Sequence, residues 1–208
     1  MIFKDRVDAG KKLAKKMQYL KEIPNAIILG LPRGGVITAQ AIADIIKLPL
    51  DIIVARKIGA PGNEEFAIGA ITYDNQLFID ENTVKAYDIA HDYIEKETAI
   101  QKIEADRRHH LYRGNRPPLD LKQKTAVIVD DGIATGATMQ AAILSAKFQG
   151  AAKIIVAIPV IARDSLEMLK QKVDEVIYLD APLMFGAVGS FYQNFKQTTD
   201  QEVIKIMS

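Results

Sequence analysis

VIVDDGIATGAT, Val127 to Thr138, places two adjacent carboxylates at the end of an apolar run and follows them with almost no side-chain bulk. The leading residues suit a strand buried on both faces, as in a parallel sheet covered by helices. Beyond the acids, Gly132, Ala134, Thr135, Gly136, Ala137 and Thr138 form a bare, hydroxyl-rich loop that runs into a segment of helical period. A helix beginning at such a loop leaves backbone N–H groups unpaired and points its positive dipole end outward, which suits a phosphate. Asp130 and Asp131 repel that phosphate, but they can accept hydrogen bonds from neighbouring hydroxyls, as on a ribose. A ligand-free Gly-rich turn with a capping carboxylate is the alternative, and the second acid argues against it.

Working outward, AIILG (26–30), LDIIVARKI (50–58), KIIVAIPV (153–160) and the shorter EVIYL (175–179) read as further strands. GVITAQAIADIIK carries Val36, Ala39, Ala43 and Ile46 on one helical stripe. GATMQAAILSAKFQG does the same with Ala137, Ala141, Leu144 and Phe148, and Gly150 is the expected C-terminal cap. Alternation of strand and helix predicts an α/β fold with a mostly parallel central sheet. FAIGAITYD–NQ–LFID (66–80) breaks the rhythm and reads as an antiparallel hairpin. A long charged helix follows within residues 91–118, too polar for the core and expected to project or to cover something. One domain spanning 1–208 is expected, with a core over about 26–160, an insertion over about 81–118 and a C-terminal segment over about 181–208.

Two more loops fall at the strand ends, where ligands of open α/β sheets sit. LPRGGV (31–36) offers Arg33 and the backbone donors of Gly34 and Gly35, a combination suited to phosphate oxygens. ARKIGAPGNEEF puts Arg56 and Lys57 at a strand end before a Gly/Pro stretch, 59–63, expected to be flexible. Either loop alone also reads as a solvated turn. Three anion-suited loops at one edge imply a ligand with phosphates at both ends and a diol between.

The 208 residues carry a formal net charge of +1, so no overall field draws nucleic acid or an acidic membrane. The absence of cysteine excludes disulfides and thiolate chemistry and suits a reducing interior. No apolar run spans a bilayer and no signal sequence is read, so a cytoplasmic protein is expected. Walker and dinucleotide glycine patterns are absent. The three histidines show no metal-ligand spacing, and His109 and His110 read as solvated.

VIVDDGIATGAT resembles the PRPP-binding motif of the type I phosphoribosyltransferases. LPRGGV looks like that family's pyrophosphate loop, and ARK is similar to a basic segment of its adenine and orotate members. The C-terminal FGAVGSFYQNFKQTTDQEV (185–203) looks like that of a bacterial subgroup of unassigned substrate. The resemblance implies a type I phosphoribosyltransferase-like fold with a small hood. It gives Asp130 and Asp131 the 2′ and 3′ hydroxyls of the ribose. Ala134, Thr135, Gly136, Ala137 and Thr138 would hold the 5′-phosphate, and Arg33, Gly34, Gly35, Arg56 and Lys57 the pyrophosphate. It also implies Mg²⁺ carried mainly on the ligand's own oxygens and on water, and a cis peptide near Arg33. The implied activity is transfer of phosphoribosyl from PRPP to a nitrogenous base. A non-catalytic PRPP sensor is the alternative, and hydrolysis or transfer on another phosphorylated sugar a third reading. Purine members that use a general base from this loop have Asp where this chain has Ala134, leaving Glu64 or Glu65 as candidates. Phe185, Phe191, Tyr192 and Phe195 read as hood, core or interface, and a homo-oligomer is expected.

Overall fold

The computed structural model describes residues 1–208. Helix α1 (Arg6–Lys16) opens the chain, capped by the Asp5 carboxylate, and is followed by strand β1 (Ala26–Gly30), helix α2 (Gly34–Ile46) and the short strand β2 (Leu50–Ile52). Next come β3 (Ala55–Ala60), β4 (Asn63–Thr72), β5 (Leu77–Ile79), α3 (Glu81–Ala86) and the 23-residue α4 (His91–Arg113). The chain then returns to β6 (Thr125–Val129), α5 (Ala137–Phe148), β7 (Lys153–Val160), α6 (Arg163–Lys170), β8 (Glu175–Asp180) and α7 (Asp200–Met207).

Five strands pair in the order β2-β1-β6-β7-β8, all parallel, with Ile28 opposite Val127 and Ile128 opposite Val156. Side chains alternate between the two faces of such a sheet, and both faces are buried here. Ile128, Val156 and Ile158 point into a cluster with Met139 and Ile143 of α5. Val127, Val129 and Ile155 point into another with α1 and α2, including Leu13, Ile42 and Ile46. The expected α2 stripe, Val36, Ala39, Ala43 and Ile46, is buried throughout.

Several expectations change. The run Leu50–Ile58 is not one strand: it leaves the parallel sheet after Ile52, and from Ala55 it joins β4 and β5 in a separate antiparallel sheet ordered β3-β4-β5. Arg56 and Lys57 therefore sit inside a strand of this second sheet; of the stretch expected to be flexible, Gly59 and Ala60 end β3, Asn63 opens β4, and only Pro61 and Gly62 form the turn between them. Hydropathy could not separate the two sheets, because Ile53 and Val54 stay buried across the junction. The expected 66–80 hairpin is present as β4–β5, with Ile71 opposite Leu77. On α5, Ala137 and Ala141 are buried, but Leu144 and Phe148 are 37% and 70% exposed. That helix lies between the two sheets and buries two sides, so only a narrow outer stripe is left over. Gly150 does follow the helix in the left-handed conformation, φ 82°.

Helix α4 covers the second sheet and touches α7. Its last residue, Arg113, is pinned to β2 by a fork: Nε donates to Asp51 Oδ1 at 2.8 Å and a terminal nitrogen to Oδ2 at 2.9 Å. Both side chains are nearly buried. His109 is not solvated. Its ring stacks on Tyr73 at 3.7 Å, its Nδ1 is buried without a partner, and burial followed by the Arg113 charge lowers its pKa to about 4. His110 is exposed as expected. The C-terminal segment folds back on the N-terminus: Phe3 N–H donates to Phe191 O and Gln193 N–H to Phe3 O, each at 2.8 Å. Phe3, Val160 and Tyr192 form a buried cluster there, with Phe185, Val188 and Phe191 packed against it.

Candidate functional site

The acid pair sits where β6 ends. Asp130 Oδ1 accepts the Asp131 backbone N–H at 2.8 Å, and Asp131 Oδ2 accepts Nε of Arg6 at 2.6 Å. Arg6 lies 3.9 Å from the centre of the Phe195 ring and also donates to Lys196 O, so helix α1 and the C-terminal segment together hold it. The Tyr192 hydroxyl donates to the carbonyl of Asp131 at 2.5 Å. Burial, and then the charge of Asp131, push the Asp130 carboxyl well above the usual carboxylate range. Burial raises Asp131 too, against the pull of Arg6. Each acid keeps one oxygen, Asp130 Oδ2 and Asp131 Oδ1, without a protein hydrogen bond.

Below the acids, Gly136 takes φ 78° immediately before α5, a conformation that favours glycine. The backbone N–H groups of residues 134–138 have no acceptor in the protein. Ser165 Oγ, from α6, donates to Ala134 O at 2.5 Å and ties the loop down from its far side. Ala134 and Thr135 are exposed, and Thr138 is half-buried.

The Arg33–Gly35 loop interlocks with the acid turn. A Cβ on Gly34 would lie 2.0 Å from Asp131 Oδ2, and one on Gly35 would lie 2.8 Å from Asp130 Cα. Only glycine allows this approach. The Pro32–Arg33 peptide is cis, as expected. The Arg33 side chain turns toward α7, where a terminal nitrogen meets Asp200 Oδ1 at 3.2 Å, and the same oxygen accepts the Tyr112 hydroxyl at 2.7 Å. Arg56 and Lys57 instead line a polar cavity of about 280 Å³ with Glu64, Glu65 and Arg108, reaching Pro32 and Thr138. Nε of Arg56 donates to Gln101 Oε1 at 3.0 Å.

The residues of 33–35 and 130–138 are thus brought to one edge of the parallel sheet, with the Arg33 head drawn aside by Asp200, while Arg56 and Lys57 stand on the second sheet in a cavity that reaches Pro32 and Thr138. A second cavity, about 350 Å³, touches Ala134 and is bounded by Ala162, Asp164, Pro182, Leu183 and Phe185. Among the C-terminal aromatics, only Phe185 lines it, while Tyr192 and Phe195 serve the acid turn.

The pattern of the phosphoribosyl transferase domain matches residues 3–195 of this chain. The chain belongs to the phosphoribosyltransferase family. A candidate phosphoribosyl transferase of Mycobacterium tuberculosis, present in strains H37Rv and CDC 1551, is 40% identical over 209 residues covering 99% of the chain. The chain spans about half the length of these relatives, 46%. The crystal structure of TT1426 from Thermus thermophilus superposes with a TM-score of 0.81 at 38% identity, over 100% of this chain and 98% of that one.

In this member of the family, the sequence reading missed Arg6, Gln101, Arg108 and Asp200, and it named Tyr192 without its bond to the acid turn. Arg6 carries no signal of its own in a helix rich in lysine. Gln101 and Arg108 do: with Glu97, Glu104 and Tyr112 they repeat at four, three, four and four residues, one face of a helix. A group formed by His91, Asp92 and Glu95 also lies outside the expected set. Its ligand atoms are within 4.8 Å of one another, all three residues are exposed, and it sits in the first turn of α4 rather than beside the acids. No helix is long and apolar enough to cross a membrane.

Proposed function

We propose that this phosphoribosyltransferase transfers the phosphoribosyl group of PRPP to a nitrogenous base and releases pyrophosphate. The observation that carries this reading is the convergence of three groups: free N–H donors at 134–138, open carboxylate oxygens at Asp130 and Asp131, and the polar cavity of Arg56 and Lys57 that reaches Thr138. PRPP carries one partner for each of them: a 5′-phosphate, a sugar diol and a pyrophosphate. The donor set also fits Mg²⁺, since hard oxygens are what that ion prefers. The Asp130 and Asp131 oxygens left open would take its water shell or the ribose hydroxyls. When bound on the ligand, the ion would neutralise part of the leaving group's charge.

The residues supply alignment and charge stabilisation. The N–H groups of 134–138 fix the phosphate end, and the acid pair fixes the sugar. Arg56 and Lys57 meet the negative charge that grows on pyrophosphate as the bond to C1′ breaks and an oxocarbenium-like centre develops. The acceptor must enter from the other side of the sugar. The cavity beyond Ala134, with the Phe185 ring and the Leu183 side chain on its wall, suits a flat ring, and Asp164 gives it a carboxylate. Glu64 and Glu65 line the Arg56–Lys57 cavity instead of the one beyond Ala134, so they are poorly placed to deprotonate an acceptor there.

Ala134 favours a second reading, a PRPP sensor without turnover, because the phosphate loop carries no base of its own. Pyrophosphate release measured with PRPP, Mg²⁺ and a panel of purines and pyrimidines separates the two. Release with one base supports transfer. Tight PRPP binding with no release from any base supports the sensor, and no PRPP binding ends both.

A further inference from the structure

Helix α4 turns a polar stripe, Glu97, Gln101, Glu104, Arg108 and Tyr112, toward the edge that carries the acids. Each member that can accept a hydrogen bond from an arginine does so, or is linked to one that does. Gln101 holds Arg56 through Nε at 3.0 Å. Glu104 holds Arg108 through Nε at 2.6 Å and is itself gripped by Arg107 at 2.7 and 2.9 Å. Tyr112 donates to Asp200, which meets Arg33.

The way the two cavity arginines are tethered decides what they can do. Arg56 and Arg108 are each fixed by Nε alone, and the terminal nitrogens of both have no protein partner. Both line the same 280 Å³ cavity beside Lys57. The Arg108 side chain is only 16% exposed, and burial followed by the Arg108 charge works against the charged form of Arg56. Glu64, Glu65 and Glu97 line the cavity as well, but none forms an ion pair with Arg56, Lys57 or Arg108. Two forks held from behind, with their open ends in one small polar space, match the geometry of phosphate oxygens.

We propose that Arg108 is a direct phosphate ligand of this site, pairing with Arg56 to form a double guanidinium cradle for a diphosphate group. The proposal rests on the reading of the cavity as the pyrophosphate end of the ligand. It makes the charged helix a wall of the binding site as well as a cover for the second sheet.

The test is calorimetric titration of the full chain with inorganic pyrophosphate and, separately, with ribose 5-phosphate, Mg²⁺ present in both. Arg108→Gln is expected to weaken pyrophosphate binding by about tenfold or more, as loss of a charge-assisted fork should. Ribose 5-phosphate affinity should stay at its original value. Arg108→Lys, which keeps the charge and can still reach Glu104, should recover only part of the loss because an ammonium group cannot fork. That variant also carries the test if Arg108→Gln fails to fold, with full pyrophosphate affinity in Arg108→Lys counting against the cradle. Unchanged pyrophosphate affinity in Arg108→Gln overturns the proposal. If the original chain binds ribose 5-phosphate but no pyrophosphate, the inference falls alone; if it binds neither, the proposed function falls with it.

Discussion

All five residues of β6 are buried, and all are apolar or β-branched, whereas β4 begins with three exposed polar residues, Asn63 to Glu65, and ends in a buried run. The five-stranded sheet hides both faces, so hydrophobic burial at about 25 cal/mol per Å² dominates its energetics. The three-stranded sheet lies between α5 and α4, and the contacts of α4 with the site are largely hydrogen bonds and ion pairs. The difference teaches where chemistry enters this fold. The apolar sheet supplies a rigid edge, and the polar layer beside it supplies charged groups whose geometry depends on one another.

The two regions meet at Arg113 and Asp51, and breaking that joint should have the largest effect. Arg113→Ala leaves a carboxylate buried on β2 without its partner. It is expected to cost about 3–5 kcal/mol, read as a drop in the urea midpoint. Replacing both residues by apolar side chains of similar volume should restore most of that loss. If the single variant costs less than about 1 kcal/mol, as an exposed pair would, the second layer is not fastened here.

The acid turn sharpens the contrast from the other side, because its burial works against the ionised form of Asp130. The Asp130 pKa is raised in the folded state, so folded protein holds this proton more tightly than unfolded chain. Stability should therefore fall as pH rises from the ordinary carboxylate range, about 4, through the raised value. Asp130→Asn removes that loss. It is expected to raise the melting temperature at pH 8 by about 2–4 °C and to leave it nearly unchanged at about pH 4. The same variant should weaken PRPP binding by about 1.5–3 kcal/mol, the range for a hydrogen bond to a charged group.

A smaller effect belongs to His109, inside the polar layer. Its pKa of about 4 lies below the usual 6.5 because burial disfavours the charged ring. Stability from the neutral ring is complete above about pH 6.5 and declines as pH falls toward about 4, where the folded state also takes the proton. Half-burial keeps the loss to about 1–2 kcal/mol. His109→Phe, which can still stack on Tyr73, should flatten stability over that pH window in denaturant titrations, and an unchanged slope would assign the acid sensitivity to other groups.

How much of this could be read from sequence follows the same division. VIVDD announced a buried strand that ends in a pair of acids, because continuous apolarity and adjacent carboxylates are local signals. The α2 stripe was legible for the same reason. The break at Ile52 was not, since a change of sheet alters a strand's partners without altering its hydropathy. Leu144 and Phe148 look like core in any helical projection, but α5 is flanked by two layers and its outer stripe is left in solvent. Arg6 is 125 residues from Asp131 in the chain, and nothing local to either points to the other. The α4 stripe was present as a spacing, yet charged residues at helical period normally mean solvent, so only the packing of α4 against β3 gives them a task.

The missing side chain at Gly34 has a mechanical meaning. With 2.0 Å between a Cβ there and an oxygen of Asp131, the Arg33–Gly35 turn and the acid turn are in direct contact. Whatever displaces one presses on the other, and Arg6 passes that pressure to the first helix. If, as proposed, a diphosphate and a pentose bind beside these two turns, each would change how firmly the other is gripped, and by thermodynamic reciprocity in equal measure.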